Sequence, residues 1–271
     1  MKRYFLPFSH SLLLFIFYLI PFYSKAQTQP EEYEVHYYLL IGQSNMAGRG
    51  PLDSADNHPN PRIIMLDSLN QWKTATDPVH FDKPKLVGVG PAISFAKEMT
   101  GKDKHIMIAL IPCALGGSPI NVWEPGATYF NWHPYDDAIA RVKIALHKGG
   151  QLKGVLWHQG ESDNDSAHAI VYLEKLKTLI TRLRTEFNNP KLPFVAGEIG
   201  YFNKQNIINP VLNHLPDLVP YTAVVSAKDL TDKGDQLHFD TPSARKLGKR
   251  YADAMTQIQK STSNAMSIRE N

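Results

Sequence analysis

The sequence predicts an α/β fold, a three-layer α/β/α sandwich built around a mostly parallel sheet of about five strands. Short aliphatic and β-branched runs alternate with longer amphipathic stretches, which is the pattern of consecutive strand and helix units. The composition is that of a globular protein, with 43% hydrophobic and 20% charged residues in a chain of 271. These values exclude intrinsically disordered, collagen-like and coiled-coil proteins.

The predicted elements alternate from the first strand to the last helix. The strands are predicted at residues 35–41, 105–111, 154–157, 194–197 and 222–225. The helices are predicted at residues 92–100, 134–148, 169–187, 207–215 and 242–259. In the longest of these helices, Leu176, Ile180 and Leu183 recur at helical spacing while charged residues take the other side. That pattern is typical of a helix with one buried and one solvated face.

The first 26 residues resemble a secretory signal peptide. Lys2 and Arg3 form a short basic start, residues 12–20 are apolar, and small residues precede position 27. The apolar run is shorter than the roughly 20 residues that span a bilayer. We therefore expect an exported protein, periplasmic or extracellular, without a stable membrane anchor after cleavage.

The mature chain is expected to form one domain over residues 27–260, followed by a polar tail over residues 261–271. The formal charge of +3 comes from basic residues of the first 26 positions, since the remainder holds 26 basic and 26 acidic residues. A neutral chain lacks the positive surface of nucleic-acid-binding proteins, so no such partner is expected. Cys113 is the single cysteine, which excludes an intrachain disulfide.

Unusual residues follow the predicted strands, where ligands bind in open α/β sheets. Ser44 follows the first strand, and Gly42 two positions earlier permits a sharp turn that would expose the serine hydroxyl. This arrangement resembles the nucleophile elbow of hydrolases, although Met46 replaces the second glycine of that motif. A serine at such a position is also a common helix cap.

Asp235 and His238 precede the last predicted helix and strengthen the interpretation of Ser44 as a nucleophile. A serine hydroxyl needs a neutral imidazole to accept its proton and a carboxylate to orient that imidazole. Thr241 and Pro242 are typical of a helix start, so the Asp235–His238 segment is predicted as a loop. A solvated acid and a surface histidine are the alternative.

Hydrogen-bond donors follow two further strands. Gly116 and Gly117 expose backbone N–H groups without side chains, as an oxyanion hole requires. Gln159 offers a side-chain amide after the next strand. A tight turn and a loop-bracing amide are the alternatives for these two features.

Together these segments resemble the SGNH hydrolase superfamily, which has a flavodoxin-like fold, and within it the sialate O-acetylesterase-like and family six carbohydrate esterases. The segments are GQSNM with AGRG, PCALGGSPI with a following tryptophan, WHQGESD and DQLHF. The resemblance implies that Ser44 is the nucleophile, His238 the general base and Asp235 its orienting acid. It further implies an oxyanion hole of Ser44, Gly117 and Gln159. The supporting or substrate-binding residues implied are Gln43, Gly116, Glu161 and Trp123.

The resemblance implies removal of O-acetyl groups from carbohydrates through an acetyl-serine intermediate, without a metal or another cofactor. Gln159 stands where most of the superfamily has asparagine, and the motif leaves open whether Gly116 or Gly117 is the donor. The expected partner is an acetylated carbohydrate, such as acetylated xylan or O-acetyl sialic acid. The motifs do not distinguish among these glycans and do not indicate an oligomeric state.

Three alternative functions remain open. Glu161 and Glu198 follow strands and could form the carboxylate pair of a glycosidase. His158, three residues before Glu161, could belong to a metal site, although no HExxH motif is present. The third alternative is a non-catalytic glycan-binding protein that stacks sugars on aromatic residues. The aromatic residues in question follow the diglycine and are Trp123, Tyr129, Phe130 and Trp132.

Overall fold

The structure, a computed structural model, describes residues 1–2, 33–54, 58–202 and 206–267. The chain divides into two units, Met1–Glu32 and Tyr33–Asn271. Except for its first two residues, the signal peptide proposed from the sequence lies outside the described residues. Among the helices that are described, none combines the length and the apolarity that crossing a membrane would require.

The second unit contains a seven-stranded sheet in the order β3-β2-β4-β1-β5-β6-β7. The strands are β1 (Glu34–Gly42), β2 (Ile63–Leu66), β3 (Trp72–Thr74), β4 (Ile106–Pro112), β5 (Leu152–His158), β6 (Phe194–Gly197) and β7 (Thr222–Val225). All neighbouring strands are parallel except β3, which is antiparallel to β2. The predicted mostly parallel α/β fold is therefore confirmed.

The prediction of about five strands was too low, because the sequence analysis missed β2 and β3. β3 has only three residues, all of them exposed, so it lacks the apolar alternation that predicts a strand. β2 is a short apolar run of four residues, IIML, which periodicity cannot distinguish from part of a helix. Both strands lie at one edge of the sheet, beyond β4.

Seven α-helices accompany the strands in the described residues. They are α1 (Ser44–Ala47), α2 (Ala92–Lys102), α3 (Pro134–Ala145), α4 (Ser166–Glu186), α5 (Ile208–Leu212), α6 (Leu215–Leu218) and α7 (Thr241–Ser267). The helix predicted at 207–215 is two short helices instead. Pro216 occupies the first turn of α6, where its missing N–H costs nothing, and it could not have continued α5.

The last helix extends further than predicted. α7 continues from Thr241 to Ser267 and so enters the segment 261–271 that the sequence suggested as a polar tail. Residues 268–271 lie outside the described part of the chain.

Two hydrophobic clusters form the core, one on each face of the sheet. Alternate residues of β1 divide between them: Tyr38 and Leu40 belong to the cluster with α2 and α7, whereas Leu39 and Ile41 face α3 and α4. Burial on both faces explains why residues 38–41 of β1 form a continuous apolar run. The carboxyl ends of the central strands meet at one edge of this rigid core, and the site residues follow those ends.

Candidate active site

Ser44 lies at a sharp turn between β1 and α1. The turn begins at Gly42, which has a φ of +125°, and a Cβ atom there would lie 2.1 Å from the carbonyl oxygen of His158. Only glycine fits this position, because any side chain would collide with the backbone of β5. The helix then begins at Ser44 itself, which places its hydroxyl at the carboxyl edge of the sheet.

The structure brings together the three residues that the motifs predict as a triad. His238 Nε2 lies 3.0 Å from Ser44 Oγ, although the residues are 194 positions apart. His238 Nδ1 lies 2.7 Å from Asp235 Oδ2. The carboxylate can accept only from a protonated Nδ1, so a neutral His238 presents an unprotonated Nε2 to the serine hydroxyl. This is the tautomer that can accept the hydroxyl proton.

Asp235 is held as a carboxylate by the loop around it. Its Oδ1 accepts hydrogen bonds from the backbone N–H groups of Leu237, at 3.0 Å, and His238, at 2.8 Å. Burial alone would raise the pKa of Asp235, but these bonds and the one with the His238 ring outweigh burial and lower the pKa to about 2. Asp235 is therefore ionised at neutral and mildly acidic pH.

Burial lowers the pKa of His238 below its ordinary value of 6.5, while the Asp235 carboxylate acts in the opposite direction. The imidazole side chain is 18% exposed. A lowered pKa keeps His238 neutral at neutral pH, which is the state that a general base needs.

Asn45 connects the helix of Ser44 to the loop of His238, and the sequence analysis did not single it out. Its Nδ2 donates to the carbonyl of Leu237 at 3.1 Å, and its Oδ1 accepts from the N–H of Phe239 at 3.1 Å. Asn45 therefore holds the backbone on both sides of His238. Its position directly after Ser44 in the GQSNM segment was the available signal.

Glu161 orients the Asn45 side chain through a hydrogen bond. The Asn45 amide donates to Glu161 Oε1, and the glutamate side chain is only 5% exposed. Burial raises the pKa of Glu161 to about 7, and the hydrogen bond from Asn45 opposes this shift only in part. Its neighbour is the fully buried His158, whose Nε2 lies 3.7 Å from Glu161 Oε1. This position agrees with the bracing role that the family resemblance implies.

The tautomer of His158 follows from its other contact. Tyr251 donates its hydroxyl proton to the carbonyl of Trp157 at 2.7 Å, so it can only accept from His158 Nδ1, 3.1 Å away. His158 Nε2 is then unprotonated and faces Glu161. A protonated Glu161 is the form that suits this neighbour, since an ionised carboxylate would face a bare nitrogen lone pair.

We expect Glu161→Gln to remove one contribution to stability, that of Glu161, which decreases as pH rises. The pKa of Glu161 is about 7 in the folded protein against 4.5 as a model value. Between these values the Glu161 side chain binds more protons in the folded state than in the unfolded state. Its contribution to the free energy of unfolding therefore falls as pH increases. The stabilisation is fully present below about 4.5 and lost through about 7, and its upper limit is roughly 3 kcal/mol.

Urea unfolding at pH 5 and pH 8 measures this effect. The free energy of unfolding of Glu161→Gln minus that of the wild type should be larger at pH 8 than at pH 5, because glutamine offers a donor and an acceptor without ionising and both proteins share the contribution of the buried histidines. Glu198→Gln is the matched control: burial alone would raise the pKa of Glu198, but hydrogen bonds from Asn213 and others lower it. Its contribution is constant above pH 5. Equal pH dependence in Glu161→Gln and the wild type would contradict the prediction.

The diglycine is fixed by a buried ion pair that the motifs did not reveal. Asp82 Oδ2 accepts from the N–H of Gly116 at 2.8 Å and pairs with Arg49 Nη2 at 2.8 Å. The side chains of Arg49 and Asp82 are 4% and 2% exposed. Arg49 comes from the AGRG segment, whereas Asp82 lies in a loop without a recognisable motif. The N–H of Gly116 is therefore already committed to a protein acceptor.

Gly117 differs from Gly116 in this respect. Its φ of +85° is a left-handed conformation that favours glycine. Within the described residues, the N–H of Gly117 has no protein acceptor, and neither has that of Ser44 at the first position of α1. Of the two glycines, Gly117 is thus the one with a donor to offer.

Gln159 is completely buried, and its amide is engaged with the protein. Its Nε2 donates to Gln43 Oε1 at 3.1 Å and to the carbonyl of Ser118 at 3.2 Å, and it also contacts Asp163. Gln43 and Gln159 therefore support each other beneath the turn at Ser44. Asp163 additionally accepts from the N–H of Ile120, which ties the loop after the diglycine to the end of β5.

Trp123 lies in the core and not on an open surface. It is 2% exposed, packs edge-to-face on Trp157, and donates its indole N–H to Ser118 Oγ at 3.1 Å. Of the two roles suggested for Trp123, substrate binding does not fit a buried side chain, whereas support of the diglycine loop does.

Cys113 is half-buried, and burial raises the pKa of its thiol to about 12. That shift makes it a poor nucleophile.

The two glutamates of the glycosidase alternative do not face a common cleft as free carboxylates. Glu198 accepts hydrogen bonds from Tyr201, Asn213 and Ser226, and Glu161 is buried beneath Asn45. Within the described residues, no group of three or more histidine, cysteine, aspartate or glutamate side chains is arranged to hold a metal ion.

Comparison with known proteins identifies the family. A model of the family described as "Carbohydrate esterase, sialic acid-specific acetylesterase" matches residues 34–257. The chain belongs to this family of carbohydrate esterases. The family resemblance and the enzyme class inferred from the sequence are thereby confirmed.

Individual relatives agree with this assignment. A probable carbohydrate esterase of Arabidopsis thaliana is 35% identical over 240 residues, which are 80% of this chain and 88% of the relative. A solved structure of an Arabidopsis thaliana protein has a TM-score of 0.75 at 32% identity, covering 82% of this chain and 98% of that one. NanS shares the fold, with a TM-score of 0.68 at 18% identity over 85% of this chain and 99% of its own.

Proposed function

We propose that this carbohydrate esterase is a serine esterase that removes O-acetyl groups from carbohydrates through an acetyl-serine intermediate. The observation that carries the proposal is the chain of contacts from Ser44 Oγ through His238 to Asp235, at 3.0 and 2.7 Å. These are the contacts that activate a serine hydroxyl.

The proposed reaction has two steps. Ser44 Oγ attacks the ester carbonyl while His238 Nε2 takes the hydroxyl proton, and Asp235 stabilises the imidazolium that forms. The bond between the acyl carbon and the sugar oxygen then breaks. His238 returns the proton to that oxygen, so the sugar leaves with a free hydroxyl group. In the second step, water activated by His238 attacks the acetyl-serine, which releases acetate and restores Ser44.

The negative oxygen of the tetrahedral intermediate is proposed to accept from the N–H groups of Ser44 and Gly117. Neither group has an acceptor among the residues that the structure describes, and both follow neighbouring strands of the sheet. Gln159 contributes as the third donor when its amide exchanges one of its present acceptors for this oxygen. Gly116 positions the loop through Asp82 and does not donate to substrate.

Similarity to named proteins supports the acetyl group as the acyl group. The family description names an acetylesterase specific for sialic acid, and a structure with a TM-score of 0.67 at 19% identity is titled a carbohydrate acetylesterase from Xanthomonas citri. That likeness covers 83% of this chain and 57% of the other.

We further propose that the protein is exported through its N-terminal 26 residues, on the basis of their sequence pattern.

Acetate release from a panel of acetylated glycans tests the proposed function. The panel contains acetylated xylan, O-acetylated mucin and O-acetylated peptidoglycan, and we expect release from at least one of them by the wild type but not by Ser44→Ala. Faster cleavage of butyrate than of acetate esters would contradict the acetyl preference. Sugar release from nitrophenyl glycosides, with no acetate release from any glycan, would favour the glycosidase alternative.

A further inference from the structure

A short aromatic hairpin follows the diglycine loop. Tyr129 and Trp132 pair through two backbone hydrogen bonds, at 2.9 and 3.1 Å, and Phe130 lies at the tip between them. The function proposed above assigns no role to these residues. The sequence analysis considered them only together with Trp123, which the structure places in the core.

Phe130 occupies an unfavourable position for a phenylalanine. Its side chain is 82% exposed, and its φ of +51° lies in the left-handed region that bulky residues rarely adopt. An exposed aromatic ring in a strained backbone conformation contributes nothing evident to the stability of the fold. Such strain is concentrated at ligand-binding and catalytic sites.

The hairpin is attached directly to the candidate oxyanion hole. Tyr129 donates its hydroxyl to the carbonyl oxygen of Gly117 at 2.8 Å, and Ser162 donates to the same oxygen at 3.0 Å. The ring of Tyr129 in turn contacts that of Phe130 edge-on, with centroids 4.7 Å apart and an interplanar angle of 71°. Phe130 is thus two contacts away from the glycine whose N–H is proposed to bind the acyl oxygen.

The surroundings of Phe130 suit a sugar better than a protein partner. Asn131 and His133 are exposed and polar, and they supply hydrogen-bonding groups for hydroxyls beside the exposed rings of Phe130 and Trp132. A protein interface would require a much wider apolar surface. Trp132 is 38% exposed and also lines a cavity with Cys113 and Arg141, so Phe130, at 82%, is the more open of the two rings.

We propose that Phe130 is the platform on which a pyranose or furanose ring of the acetylated substrate stacks, with Tyr129 setting its distance from Gly117. The inference rests on the proposed esterase function and adds the residue that recognises the sugar. The face of a sugar ring presents C–H groups that pack against an aromatic ring, whereas an open-chain polyol presents no such face.

Hydrolysis of two polyol acetates tests this proposal. Xylose tetraacetate contains a sugar ring and glycerol triacetate does not, while both present acetyl esters of alcohols to Ser44. Phe130→Ala should lower kcat/KM for the sugar acetate by roughly 3- to 10-fold, as expected for loss of one aromatic contact, and leave glycerol triacetate within about twofold. Phe130→Tyr and Phe130→Trp should retain the sugar preference, since both keep an aromatic face.

The control is Leu218→Ala, which removes an exposed apolar side chain from α6, ahead of the amino end of β7. This substitution should leave kcat/KM unchanged for both acetates. Saturation-transfer NMR of xylose tetraacetate on Ser44→Ala, with and without Phe130→Ala, reports the contact directly. If Phe130→Ala lowers kcat/KM equally for both acetates, or for neither, the proposed stacking on Phe130 is wrong. The proposed esterase function is unaffected by that result. A wild type that cleaves neither acetate and releases no acetate from any glycan of the panel would overturn both proposals.

Discussion

Replacing Ser44 with alanine should lower kcat for acetyl ester hydrolysis by about 10⁴- to 10⁶-fold, the range typical of removing a nucleophile from a triad. The variant loses the atom that is proposed to form the acyl-enzyme, while its backbone N–H groups remain. The rate of acetate release, compared with the rate of the uncatalysed reaction, measures the effect.

Ser94→Ala is a suitable control for this substitution. Ser94 is also buried, but its hydroxyl bonds only to the carbonyl of Pro91 within the first turn of α2. Its removal should change kcat by less than about threefold, in line with the small effects of changes away from the site. Thermal unfolding should show that both variants fold. Wild-type turnover in a folded Ser44→Ala protein would end the assignment of the nucleophile.

Asp235→Asn should lower kcat by about 10³- to 10⁴-fold, because the amide favours the wrong tautomer of His238. Asparagine can still accept from the backbone N–H groups of Leu237 and His238 through one oxygen, so the loop remains closed. The other carboxylate oxygen becomes an NH₂ group, which can no longer accept from His238 Nδ1. The change is thus confined to charge and tautomer.

The pH dependence of kcat/KM provides a second readout of the same pair. Wild-type activity should fall as pH decreases through the pKa of His238, which lies below 6.5 because of burial. Asp235 raises this pKa, so its removal should move the acid limb of the residual activity to lower pH. Asp232→Asn is the matched control, since Asp232 binds the N–H groups of Gly234 and Gln236 in the same loop. A wild-type profile with no acid limb at any pH at which the protein stays folded would contradict His238 as the base.

The central part of the fold was predictable because its signals are local. β1 and β4 to β7 are apolar runs bounded by turns, and α4 carries a clear helical periodicity. The edge strand β3 was not predictable, since three exposed residues have no pattern of their own and are a strand only because β2 lies beside them. The break between α5 and α6 was not predicted, because Pro216 lies in the first turn of the second helix and not at the end of the first.

The site divides in the same way. Ser44, Asp235 and His238 were predictable from the residue types that follow strands, together with the topology of parallel sheets. Asp82 was not predictable, because its link to Gly116 and Arg49 depends on a loop closing across 34 positions. Asn45 was visible in the sequence, but its two bonds to the His238 loop were not.

The amino-acid sequence by itself determined which chemical groups stand at the strand ends, the alternation of strands and helices, and membership in a carbohydrate esterase family. Tertiary structure alone decided that, in the described part of the chain, the N–H of Gly117 and not that of Gly116 lacks an acceptor. It also decided that Trp123 is buried while Phe130 is exposed, and that burial raises the pKa of Glu161 to about 7. The physical reason is that hydrogen-bond pairing and burial are properties of contacts between distant residues. Local patterns specify which groups are present, and packing determines which of them remain available to a substrate.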